Sequence, residues 1–355
     1  MPKQINLIQT LRGLAIVLVV LYHCSFIFHG GFIGVDVFFV ISGYLITRSI
    51  LMSLKKGQQG LELILSFYSR RILRLFPALS ATIFVTALLS IFVFSPYGET
   101  SQILTSALAG LLFFANGRFF LLNDYTSLTT DPFRHLWSLG VEEQFYLVFP
   151  LLVALAIGLA RKSRLRKVLL ICSLLTIVLS FALSLSLSYG VRLLPLPERF
   201  AFYSPLTRAW QIGAGALIAM SSENLMVAKV RTRLLALGAV SGLGLIVVSG
   251  IYLDQYTNYP GLVGGLPVVG AALIIVAALK SDRLGAMKFG ILNHLGDMSY
   301  SLYLIHWPLL VLLQRAFSDT TVVALVSIPL SYILARLQYL WVEKPFRSSR
   351  IRVET

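Results

Sequence analysis

Two apolar runs near the start of the chain, LRGLAIVLVVLYH and GGFIGVDVFFVISGYLIT, carry side chains that lipid does not tolerate: Arg12 and His23 in the first, Asp36 and Ser42 in the second. An ionisable group inside a spanning helix is costly and marks a functional site by default. Arg12 and His23 are 11 residues apart, which on a helix puts them within about 20° of one face and roughly 16 Å apart along the axis. That stripe must face the protein interior, with Gly30 and Gly31 folding the second run back on the first. A neutral imidazole there can act as a base or nucleophile, or simply tie two helices together. Asp36 either orients His23 across the hairpin or caps the second helix.

Three further stretches have the right residue types. In FYSRRILRLFPAL, Arg71 and Arg74 are three apart on one face at the mouth of an apolar window. Such arginines are topology anchors or, as paired guanidinium groups, a seat for a phosphate-rich ligand on which Arg12 can converge. The stretch HLWSLGVEEQFYL brings His135, Glu142, Glu143 and Tyr146 to the opening of a later window. Glu142 and Tyr146 share a face at i and i+4, and two acids at that depth suggest a polar pocket more than a favoured helix dipole. In SYSLYLIHWP, Ser299, Tyr303 and His306 fall on one stripe, lining a cavity or joining helices.

The elements that must hold these residues follow from composition. With 355 residues, 57% hydrophobic and 13% charged, and a mean hydropathy of +0.82, the chain reads as an all-α integral membrane protein. Its net charge of +15 does not indicate nucleic acid, because the basic residues cluster between apolar segments rather than on a soluble face. No cleavage site follows the first run, so an uncleaved first span is expected. Cys24 and Cys172 lie in apolar runs without metal-ligand spacing, and neither a disulfide nor a metal is expected.

Eleven apolar windows can be read between residues 8 and 341. The basic stretches 48–74 and 161–167 should both be cytoplasmic, and an even number of crossings must separate them. The window at 101–121 runs into Asn116, Gly117 and Arg118, and is the one to remove as a re-entrant or interfacial segment. About ten transmembrane helices remain, both termini are cytoplasmic, and 23 of the 30 basic residues fall on the inner side. A polar pathway results, cationic at its cytoplasmic end with histidine nearer the outer end. It suits a transporter whose ionisable groups relay ions. It equally suits an enzyme that takes a phosphate-bearing donor from the cytosol and modifies something outside.

The stretches 11–23, 30–47, 70–79, 135–150 and 299–309, with the closing VEKPFR at 342–347, resemble in order the acyltransferase-3 family of multi-span O-acyltransferases. The resemblance implies one membrane domain over 1–347 followed by a short basic cytoplasmic tail at 348–355. It also implies transfer of an acyl group, most often acetyl from acetyl-CoA, to a hydroxyl of an extracytoplasmic or lipid-linked glycan at a bacterial inner membrane. His23 matches the family's catalytic histidine. Arg12, Arg71 and Arg74 match arginines thought to serve CoA binding, and Glu142 and Glu143 fall in a further functional segment. Ser42, His135, Tyr146, Ser299, Tyr303 and His306 are expected along the substrate pathway. Some members carry a C-terminal esterase-like domain, whereas this sequence ends at Thr355. The expectation is that the membrane domain completes the reaction, with a separate extracytoplasmic transferase as the alternative.

Overall fold

The structure, a computed structural model, describes residues 5–24, 28–122, 131–159, 162–193, 195–227, 230–254 and 256–348, with the backbone alone at 158–159, 162–166 and 222–227. The expected tail beyond Ser348 lies outside the described residues. So do Lys3, Arg161, Lys229, Arg350 and Arg352, which entered the charge count.

Among the described residues the chain is helical, with no strand. The helices are α1 (Asn6–His23), α2 (Gly34–Lys55), α3 (Gly60–Val93), α4 (Glu99–Leu111), α5 (Ala115–Leu121), α6 (Leu136–Leu159), α7 (Lys162–Ser188) and α8 (Pro197–Tyr203). There follow α9 (Pro205–Val227), α10 (Thr232–Tyr252), α11 (Gly265–Lys280), α12 (Gly290–Asp297), α13 (Ser299–Ala316) and α14 (Thr320–Gln338), which runs through a π-turn at Tyr339–Glu343 into α15 (Lys344–Ser348).

Each of the ten windows retained from the sequence is largely helical, the one at 294–314 breaking at Met298 between α12 and α13. Seven helices, α1, α2, α3, α6, α7, α10 and α14, are long and apolar enough to cross a membrane, and α11 is a shorter apolar helix. The other two, α9 and α13, have the length but carry Arg208 and Gln211, or Ser299, Ser301 and His306, in place of apolar side chains. The stretch 101–121 breaks into α4 and α5, the longer being 13 residues, or about 20 Å, too short for a 30 Å hydrocarbon core. At the break Phe113 takes a positive φ of 56°. Gln144 of α6 satisfies the exposed backbone, donating to the Phe113 carbonyl at 2.9 Å, which is how irregular chain is tolerated at depth.

The basic stretch 48–74 is mostly helical rather than loop. Helix α3 is 34 residues long, about 51 Å, so Arg71 and Arg74 stand on helix turns that precede its apolar window.

Apolar surface alone does not drive helices together in lipid, so close approach through small residues matters. A Cβ on Gly43 of α2 would lie 1.9 Å from the Ile212 carbonyl of α9, and one on Gly215 of α9 would lie 1.9 Å from the Val40 carbonyl of α2. The same reciprocal contact joins α1 and α12 through Gly13 against Leu292 and Gly296 against Gln9, both at 2.0 Å. Gly31 and Gly34 press on the Leu18 and Ala15 carbonyls, closing the hairpin expected at Gly30 and Gly31. The interior cluster around Ala15, Val37, Val40, Ala271 and Ile275 fixes α1, α2, α9 and α11. A second, around Ala78, Leu79, Val141 and Leu304, fixes α3, α6 and α13. Phe84, Leu88, Leu151, Leu155 and Val240 face outward, as a lipid-facing belt requires.

Candidate active site

Helices α1, α2, α3, α6 and α13 enclose a cavity with about 790 Å³ of atom-free space, counting its open mouth. Its polar wall is built of Arg12, Ser42, Arg71, Arg74, Ser138, Glu142, Tyr146, Ser299, Tyr300 and Tyr303. All but Ser138 and Tyr300 were expected at the site, and the structure brings them together from five helices.

The three arginines are not equivalent. Arg12 is 8% exposed and is anchored by Nη2 on Ser299 Oγ at 2.8 Å and by Nη1 on Gln9 Oε1 at 3.2 Å. Arg71 grips Glu143 with two prongs, Nε to Oε2 at 2.9 Å and Nη2 to Oε1 at 2.5 Å. Its guanidinium carbon also stands 3.4 Å from the centre of the Tyr146 ring. Glu143 is therefore the counter-ion of Arg71 and does not line the cavity. Glu142 does, its Oε1 accepting from Ser42 Oγ at 2.5 Å and from the Tyr146 hydroxyl. Arg74 differs from both. Its Nε is buried without a hydrogen-bond partner, and among the described residues its guanidinium makes no hydrogen bond or ion pair. A cation left unpaired at a cavity wall is suited to an anion brought from outside.

Val35, Phe38, Ser138 and Tyr303 line the cavity together. Tyr303 is held there by contacts of its hydroxyl with Ser138 Oγ at 2.6 Å and the His135 carbonyl at 2.6 Å. Behind it the three histidines expected at the site converge. The Tyr303 ring lies 5.6 Å from that of His306, and the His135 ring lies 5.8 Å from His306. His23 Nδ1 is 3.0 Å from His306 Nε2, and the His23 ring packs on Trp307 at 4.6 Å. His23 does not itself line the cavity; Tyr303 on the wall meets His306, and His306 meets His23.

The expectation that Asp36 orients His23 is not what the structure places there. Asp36 accepts from Arg208 Nη1 at 3.1 Å and from Gln211 and Tyr259, a cluster in which Asp36 and Arg208 are each 1% exposed. A carboxylate that far from water is held by the nearest cation, and α9 supplies one that the hairpin lacks. Asp36 therefore fixes α2 to α9, and the group beside His23 Nδ1 is His306 Nε2.

Several residues near the site were not singled out in the sequence. Arg208 lies in an apolar window, and that position was the available signal for it. Trp307 packs on His23 and donates from Nε1 to the Asp131 carbonyl at 2.9 Å. Burial pushes the Asp131 carboxyl up to about 6, against the opposing pull of the Phe133 amide hydrogen bond and of Arg118 and Arg134. Glu343, on the π-turn, is 2% exposed and accepts from Ser301 Oγ at 2.7 Å. Nothing but its place in VEKPFR pointed to it.

With this geometry in hand, comparison with known proteins is informative. The family described as Acyltransferase domain matches residues 5–336. The peptidoglycan O-acetyltransferase OatA of Listeria monocytogenes is 29% identical over 98% of this chain and 56% of its own length. The O-acetyltransferase OatA of Staphylococcus aureus is 29% identical over 98% of this chain and 58% of its own. The chain thus spans a little over half the length of these relatives. No solved structure matches it.

Proposed function

The chain belongs to the acyltransferase-domain family, and from that premise we propose that it is a bacterial membrane O-acyltransferase. In this reading it takes an acyl group, acetyl above all, from acyl-CoA in the cytoplasm and delivers it to a hydroxyl of an extracytoplasmic or lipid-linked glycan. Peptidoglycan is the acceptor named for one of its relatives. The Arg12 end of the bundle faces the cytoplasm, with both termini on that side of the inner membrane.

The observation that carries the reading is the unpaired Arg74 guanidinium on a cavity wall shared with Arg12. Arg74 and Arg12 would hold the phosphates of the donor, and Phe38, Phe39, Ile41 and Leu45, on the same wall, suit its apolar arm. A thioester is already activated, so the remaining need is a group at the acyl carbon. His23 meets it in one of two ways. It accepts the proton of the acceptor hydroxyl while that oxygen bonds to the carbonyl carbon, or it bonds to the carbon itself and carries the acyl group on its ring. In both, the carbon–sulfur bond breaks and CoA leaves as the thiolate. Tyr303 stands between cavity and histidine, so it must yield for the acyl group to arrive.

The test is His23→Ala in cells, with glycan acetylation measured by NMR of the isolated polymer at matched protein levels. Acetylation should be lost. Unchanged acetylation refutes the assignment, and substrate flux in vesicles without acyl-CoA would favour a transporter instead.

A further inference from the structure

The two histidines His23 and His306 are linked in one direction only. His306 Nδ1 lies 3.1 Å from the Leu302 carbonyl. A carbonyl oxygen can only accept, so the proton of a neutral His306 is on Nδ1 and its Nε2 is a bare acceptor. That Nε2 is 3.0 Å from His23 Nδ1. Two bare nitrogens at this distance would repel, so His23 Nδ1 must carry a proton and donate it. His23 is then left with its lone pair on Nε2.

We infer that His306 is a positioning residue that fixes His23 as the Nδ1-protonated tautomer, with Nε2 as the reactive nitrogen. The inference rests on the proposed role of His23 and adds the atom that performs it. In hydrolases with a serine nucleophile a buried carboxylate does this work for the imidazole, holding its tautomer and orientation. Here the one acid on the hairpin, Asp36, is occupied by Arg208, Gln211 and Tyr259, and an imidazole takes its place. The rings facing the pair are Tyr22 and Trp307 on His23 and Tyr303 and His135 on His306. Among the described residues no carboxylate bonds to either imidazole. The His306 ring also packs on that of His23, with centroids 5.1 Å apart and planes 26° from parallel, which sets the plane in which Nε2 points. When His23 Nε2 gains a proton or an acyl group, the positive charge that develops on the ring is met by the lone pair of His306 Nε2 across the same hydrogen bond.

The experiment uses purified protein in nanodiscs, labelled with 15N-histidine. Of the five histidines, the His23 signals are those that vanish in His23→Ala. In the substrate-free wild type they should show a protonated Nδ1 and a bare Nε2. In His306→Ala the same signals should move toward the Nε2-protonated form favoured in water. In His306→Gln, whose amide oxygen can replace the Nε2 acceptor, the wild-type form should return. In parallel, CoA release from acetyl-CoA should lose ten- to a hundredfold in kcat in His306→Ala with the donor KM unchanged, and His306→Gln should recover most of the loss. A bare Nδ1 on His23 in the wild type overturns the inference, as does His306→Ala turning over at the wild-type kcat. The NMR result does not depend on turnover. A wild type that shows the expected tautomer yet releases no CoA would count against the proposed function and leave the positioning role standing.

Discussion

Substituting alanine for Arg71 and for Arg74, three residues apart on one helix face, should have opposite consequences. Arg71→Ala removes the two-pronged partner of Glu143, whose side chain is 10% exposed, and strands a buried carboxylate. Breaking a buried ion pair from one side costs about 3–5 kcal/mol, enough to lower the unfolding temperature by many degrees or to abolish expression. Part of that loss should return in Arg71→Ala/Glu143→Ala, because the stranded charge is gone. Arg74→Ala removes a guanidinium that has no partner to strand and whose unpaired charge is itself costly to bury, so stability should hold or rise rather than fall. It should instead weaken donor binding. A hydrogen bond to a charged group contributes about 1.5–3 kcal/mol, roughly ten- to a hundredfold in Kd. The assays are thermal unfolding in nanodiscs followed by tryptophan fluorescence, and calorimetric titration with acetyl-CoA. An Arg74→Ala protein that unfolds as early as Arg71→Ala while binding acetyl-CoA normally would refute the reasoning.

Two further outcomes follow from the packing and the outer segment. Gly43→Val should separate α2 from α9, since its Cβ would start 1.9 Å from a backbone oxygen; overpacking of this kind costs about 1–3 kcal/mol or more. Gly238→Ala in α10, where a Cβ meets nothing within 4 Å, should be neutral or slightly stabilising, and unfolding temperatures compare the two directly. Asp131, whose carboxyl is raised to about 6, holds its proton in the folded state to higher pH than in the unfolded chain. Its contribution to stability is therefore fully present below about pH 4 and is lost as pH rises through 6. Asp131→Asn should show a smaller fall in unfolding temperature than wild type between pH 4.5 and 7, and parallel curves would contradict this.

Much of the site was legible because the helical repeat alone decides which side chains share a face. Arg12 with His23, Glu142 with Tyr146, and Ser299 with Tyr303 and His306 were grouped by spacing, and each group faces the interior. The partnership of charges was not legible. Asp36 and Arg208 are 172 residues apart and His23 and His306 are 283 apart, so their meeting depends on how helices rotate against one another. That rotation is set by close glycine contacts such as Gly43 on Ile212, whose partner is a backbone carbonyl that no side-chain pattern announces. The same gap made Arg71 and Arg74 look alike, although Glu143 neutralises only the first. The break of 101–121 into two short helices was legible as a polar interruption, but the side chain that satisfies it, Gln144, was not.

The central claim is that His23, as base or as acyl carrier, serves transfer of the acyl group from a donor bound in the arginine-walled cavity. Release of free CoA thiol from acetyl-CoA by the purified protein in nanodiscs, with and without a soluble glycan acceptor, tests it most directly when wild type and His23→Ala are compared at matched acetyl-CoA binding. Loss of release in His23→Ala with binding intact is the result this account predicts, and release at the wild-type rate from the variant would contradict it.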